Sequence, residues 1–222
     1  MCFAPYISLS TFTIEFLLAL FFLLLNPKDG LNRVIALISF LLGLYQLNEF
    51  LICVTGSVVF TKLAMITTAI LPALAVTYAL VMARKRIRYY WHLLIYAPAA
   101  FFIVMFATLY YGKPALCDTL FIQYPGTDII GDFYALYYLA YIFATGILFY
   151  LFSQRTKRKE ERVLLHLGML SMVIFTVPTF IFLIFLPRFY SQFSSVLCEF
   201  ALLLAIELIV LLWYKKKHGL KY

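Results

Sequence analysis

Long apolar runs alternate with short polar segments along the whole chain. A membrane-crossing helix needs about 20 predominantly apolar residues to span roughly 30 Å of hydrocarbon. Seven runs meet that length, at about 6–26, 33–54, 57–82, 89–111, 132–153, 163–186 and 192–214. The runs are continuously apolar and do not alternate in the strand period. A bilayer also requires every backbone group to be paired internally, so helices are expected and not a barrel. The predicted fold class is all-α, a polytopic seven-transmembrane helix bundle filling residues 1–222 as one membrane domain. Asn26-Pro27-Lys28-Asp29-Gly30 is turn chemistry between the first two spans. Pro72 and Pro178 fall inside the third and sixth spans, where each removes a backbone donor and favours a kink.

The polar segments carry the orientation. Lys28 and Arg33 flank the first loop. Arg84, Lys85, Arg86 and Arg88 fill the third, and Arg155, Lys157, Arg158, Lys159 and Arg162 the fifth, while Lys215, Lys216, Lys217 and Lys221 lie in the tail. Only Lys62, Lys113 and Arg188 of the 18 basic residues fall on the opposite side. Cytoplasmic loops hold the excess of Lys and Arg, which predicts an outside amino end and a cytoplasmic carboxyl end. Residues 1–10 contain neither Lys nor Arg, so the first run reads as a retained span and not as a secretory signal.

Composition then closes off other classes. Hydrophobic residues make up 65% of the chain and charged residues 13%, with a mean hydropathy of +0.97; a soluble domain is about half apolar and a quarter charged. The net charge of +8 sits beside spans, where polybasic segments attract anionic lipid headgroups. Lipids, and a possible cytoplasmic signalling partner docking on residues 155–162, are the partners expected, with no nucleic acid. His92, His166 and His218 lack metal-ligand spacing. No Ser–His–Asp set or phosphate-binding glycine loop occurs at a sensible depth. No catalytic residue, metal or cofactor is assigned.

Four carboxylates, Glu15, Glu49, Glu199 and Glu207, fall inside predicted spans. An ionisable group in hydrocarbon costs at least a few kcal/mol, so each is expected to face the bundle interior or to be paired. Tyr45, Asn48, Glu49 and Cys53 share one face of span 2 at helical spacing. Ser191, Ser195 and Glu199 recur every fourth residue on span 7, and Tyr134, Tyr137, Tyr138 and Tyr141 form a stripe on span 5. The ligand-binding candidates are Tyr45, Asn48, Glu49, Tyr137, Tyr141, Ser195 and Glu199, around an outer-half pocket among spans 2, 5 and 7. The competing reading is that these groups only hydrogen-bond helix to helix, and it is the favoured one for Glu207. Lys62 is a further candidate to neutralise Glu49. Of the four cysteines, Cys117 has the loop freedom to reach Cys53 or Cys198; a Cys53–Cys117 disulfide is the pairing carried forward, with free thiols as the alternative.

Several stretches together resemble the amino-terminal seven-transmembrane sensor region of bacterial histidine kinases. They are Leu47-Asn48-Glu49, residues 63–78 with Leu71-Pro72, Gly131-Asp132-Phe133-Tyr134 leading to Tyr137-Tyr138, and 154–170 leading to Pro178. The resemblance spans nearly the whole chain and includes no catalytic signature. It implies a sensory, receptor-like module in a bacterial cytoplasmic membrane, with the signal passed inward through span 7. In that family the last span runs on into a kinase. Here eight residues follow Tyr214, so signalling is expected to pass to a separate protein, the alternatives being that the module has another role or that the sequence is a piece of a longer protein. An intramembrane lipid-modifying enzyme, similar to lysolipid hydrolases, and a small transporter are the alternatives.

Overall fold

The structure is a computed structural model and describes residues 4–85, 87–110, 115–117, 122–124, 129–185, 200–220 and 222. Its helices are α1 (Ala4–Leu25), α2 (Gly30–Thr55), α3 (Val58–Met82), α4 (Tyr89–Met105), α5 (Ile129–Arg155), α6 (Lys159–Phe185) and α7 (Ala201–Lys217). A π turn, Phe106–Tyr110, extends α4. Strands β1 (Leu116–Cys117) and β2 (Ile122–Gln123) pair antiparallel in the loop that follows. Six of the helices are long and apolar enough to cross a membrane. The molecule is therefore an all-α, multi-pass membrane protein. The outer part of the expected seventh span, at 192–199, lies outside the described residues.

Helix ends follow capping chemistry more closely than hydropathy. Asp29 accepts from the backbone N–H groups of Leu31 and Asn32, which starts α2 at Gly30, three residues ahead of the apolar run. At the other end of α2, Gly56 takes the left-handed conformation (φ 63°) and its N–H returns to the carbonyl of Ile52. Ser57 then caps α3 through the N–H of Val59. A two-residue turn results, because a glycine supplies the positive φ and a serine the first cap. α5, α6 and α7 each continue through charged residues beyond the apolar segment.

Long-range contacts define two ends. At one, Asp29 meets Lys215, Arg84 meets Glu161, and the Arg84 guanidinium lies 4.6 Å from the centre of the Tyr222 ring. This basic end gathers the first, third and fifth loops with the tail. At the other, Cys53 is bonded to Cys117, and the N–H of Ala115 donates to Thr61 Oγ1. Consecutive helices therefore alternate in direction.

α3 and α2 are the most buried of the six spanning helices. Tyr45, Ala64, Ala69, Ala73 and Ala79 are fully buried. Small residues on α3 allow close helix approach, which is what association inside a bilayer depends on. Gly43 does the same between α1 and α2, where a Cβ would stand 3.3 Å from Glu15 Cβ.

Candidate functional site

The residues on the predicted face of α2 divide into two groups. The Tyr45 hydroxyl donates to Glu49 Oε1 at 2.7 Å, one helical turn away, and both residues are buried. Asn48 instead turns back on its own helix and donates to the carbonyl of Leu44 at 2.8 Å. The polar chain continues outside α2: Tyr124, directly after β2, donates its hydroxyl to that of Tyr45 at 3.0 Å.

The loop between α4 and α5 places Tyr124 there. The Cys53–Cys117 disulfide ties β1 to the end of α2, with Cα atoms 5.5 Å apart. Ile122 is buried on β2, and Ala115 is held by Thr61 of α3. A disulfide, a strand pair and a cap-like hydrogen bond thus converge on a few residues. Together they aim one tyrosine from the loop into the bundle, toward a buried carboxylate.

Tyr137 and Tyr141 form a different arrangement. Tyr137 donates to the carbonyl of Ala69 at 2.9 Å, and Tyr141 to that of Ile95 at 3.0 Å. Ala69 lies three residues before Pro72, and Ile95 three residues before Pro98, an intrahelical proline of α4 absent from the sequence reading. Pro72 and Pro98 supply no N–H to the carbonyls of Thr68 and Leu94. Tyr134 adds a bond to Thr68 Oγ1 at 2.9 Å. Their rings also pack edge-on and stacked around Phe102. These hydroxyls are engaged with the proline-weakened turns of α3 and α4, and join α5 to both. Ser195 and Glu199 lie outside the described residues.

The other in-span acids are as deeply placed. Ser171 of α6 donates to Glu207 Oε2, joining α6 to α7. Glu15 is 1% exposed, and neither of its oxygens has a hydrogen-bond partner among the described residues. Lys62 reaches the carbonyl of Ala107 in the π turn, at 3.0 Å.

The basic end holds a polar cluster that sequence reasoning missed. Lys215 Nζ lies 2.6 Å from both Asp29 Oδ1 and Asn32 Oδ1. Asn32 Nδ2 donates to the carbonyl of Phe22 in α1. Tyr222 closes the cluster: its N–H donates to Asp29 Oδ2 at 3.1 Å, and its carbonyl accepts from the N–H of Gly30 at 3.0 Å. Burial alone would raise the Asp29 carboxyl, but the hydrogen bonds from Lys215, Tyr222 and Asn32 outweigh it and hold the group below its ordinary value. Burial pushes the Tyr222 phenol up to about 12, against the opposing pull of Arg84. The usable signal was Asp29 placed one residue before a helix start; Lys215 was indistinguishable from its basic neighbours.

No metal-ligand group of three His, Cys, Asp or Glu occurs among the described residues. Comparison with protein-family models, curated proteins and solved structures returned no match.

Proposed function

We propose that the chain is a seven-span, receptor-like membrane module with its amino end outside and its carboxyl end in the cytoplasm. It binds a small or lipid-like ligand in its outer half and signals to a separate cytoplasmic partner. The observation that carries this reading is the hydrogen-bonded chain Tyr124–Tyr45–Glu49. It connects an outer loop, held by the Cys53–Cys117 disulfide, to a buried carboxylate inside the bundle. A guest that competes for these hydroxyls or for Glu49 shifts the loop against α2. The same helix begins at Asp29, which grips Lys215 and Tyr222 at the basic end. α2 is thus a rigid connection between the two ends, and a ligand moves such an equilibrium only by binding one state better.

The distribution of Lys and Arg supports the orientation, and the resemblance to kinase sensor regions supports signalling in a bacterial cytoplasmic membrane. The test is a thermal-stability screen of purified protein against single-chain lipids, short peptides and small polar compounds. Compounds that stabilise the wild type are expected to lose their effect in Glu49→Gln and Tyr45→Phe. If every stabilising compound acts equally on both variants, the outer-half site is wrong.

A proton-coupled transporter is the second reading, favoured by the buried Glu15 carboxyl, which has no hydrogen-bond partner among the described residues. Proton uptake by reconstituted vesicles, abolished in Glu15→Gln, would select it over the sensor.

A further inference from the structure

α1 packs along α2 and meets α7 only sparsely, so a cleft remains between α1 and α7 at the basic end. It encloses a cavity of about 500 Å³, within the range of about 300–1,000 Å³ usual for small-molecule sites. Its lining changes character along the helix axes. Toward the middle of the bundle the walls are Phe21, Leu25, Ile209 and Leu212. Toward the end they are Asn26, Asp29, Lys215 and Lys216. Trp213 stands between the two zones, exposed, with the Lys217 ammonium 4.9 Å from the centre of its ring. An exposed tryptophan beside lysines at a helix end is the usual occupant of the headgroup level of a bilayer.

From this arrangement we infer that the cleft is a binding site for an anionic glycerophospholipid. One acyl chain lies along Phe21, Ile209 and Leu212, and the phosphate lies at Lys216 and Asn26. The charge balance selects the headgroup. Lys215 is neutralised by Asp29 at 2.6 Å, whereas Lys216 lines the cavity and makes no ion pair among the described residues. Lys216 and nearby Lys217 therefore leave the mouth positive. A phosphate is met there, and the ammonium of a zwitterionic headgroup would be repelled. The leaflet is the cytoplasmic one under the orientation proposed above; the site itself depends only on the protein lying in a membrane. A lipid seated there covers the contact between Lys215 and the start of α2, and so holds α7 against α1.

The experiment uses the full chain in nanodiscs and native mass spectrometry. Wild type is expected to retain phosphatidylglycerol in preference to phosphatidylcholine. Lys216→Glu should weaken that retention by about tenfold or more, since each basic residue near the surface contributes roughly 1 kcal/mol and reversal counts twice. Ile209→Trp, at an exposed position, should fill the cleft and weaken retention of both lipids, with helical circular dichroism unchanged. Lys157→Glu, on the loop between α5 and α6, should leave retention unchanged. Equal loss in Lys157→Glu and Lys216→Glu would show diffuse surface attraction and overturn the site, as would full retention in Ile209→Trp. Inorganic phosphate and glycerol phosphate at millimolar concentration should not displace the lipid; displacement would mark a soluble-anion site instead. None of these variants touches Glu49, so failure of the outer-half ligand reading leaves this result standing, and the reverse also holds.

Discussion

The Tyr137 hydroxyl donates to the carbonyl of Ala69, three residues ahead of Pro72 in α3. Tyr141 repeats the relationship with Ile95, three residues ahead of Pro98 in α4. α5 thus places side-chain donors on the carbonyls next to those of Thr68 and Leu94, which Pro72 and Pro98 leave without a helical N–H.

Tyr137→Phe removes one of these donors and keeps the ring packing. It should lower stability by about 0.5–1.5 kcal/mol, read from unfolding of purified protein in mixed detergent. Stability equal to wild type would show that the hydroxyl contributes nothing to holding α5 against α3.

Lys215 and Asp29 are separated by 186 positions and stand 2.6 Å apart, both buried. Asp29→Asn keeps an effective helix cap and leaves the Lys215 ammonium without its counter-ion. Such a break costs about 3–5 kcal/mol in buried pairs. Asp29→Asn with Lys215→Met should recover much of the loss. A single variant as stable as wild type would show that water reaches the pair.

The same pair sets a pH dependence. The Asp29 carboxyl is held below its ordinary value in the folded protein. Its contribution is therefore fully present above about pH 4, the unfolded value, and is lost as pH falls through the folded value. The unfolding midpoint of wild type should drop through the acidic range by more than that of Asp29→Asn. Parallel curves for the two proteins would remove Asp29 from the account.

Two glycines make opposite predictions. A Cβ at Gly168 would lie 2.7 Å from Phe149 Cε1 and 2.8 Å from Met82 Sδ, whereas nothing among the described residues stands within 4 Å of one at Gly146. Gly168→Ala should destabilise by about 1–3 kcal/mol through overpacking. Gly146→Ala should be neutral or stabilise by up to about 1 kcal/mol, because alanine is the better helix former. Thermal unfolding in one detergent compares them directly.

The Cys53–Cys117 disulfide closes a loop of sequence separation 64, and bridges of this kind are worth roughly 2–4 kcal/mol. Cys117→Ala should lower stability by that order and make Cys53 reactive toward a maleimide without reductant. Labelling of Cys53 in the untreated wild type would contradict the bridge.

The two hydrogen-bonded tyrosine sets differ in how readable they were. Tyr45 and Glu49 lie four residues apart on one helix, and helical spacing alone puts them side by side. Their third member, Tyr124, is 79 residues from Tyr45 and arrives through a loop whose path no periodicity describes. Tyr137 and Tyr141 were visible as a stripe, but their acceptors are backbone carbonyls, which every residue carries alike. The Asp29–Lys215–Tyr222 cluster was hidden for another reason: in a run of lysines, composition cannot say which one is buried.

The apolar runs by themselves determined an all-helical, multi-pass membrane protein. In hydrocarbon an unpaired backbone group is so unfavourable that a long apolar segment has few options besides a helix. Their polar breaks also placed the basic loops together, because alternate loops of such a chain must share a side. Which polar groups meet was decided only by tertiary structure. Contacts between helices depend on rotation about each axis, on where prolines and glycines let neighbours approach, and on a loop tied back by a disulfide. The cysteines and prolines could be named from the sequence, but the rotation and close approach that bring side chains together leave no mark in the order of apolar and polar residues.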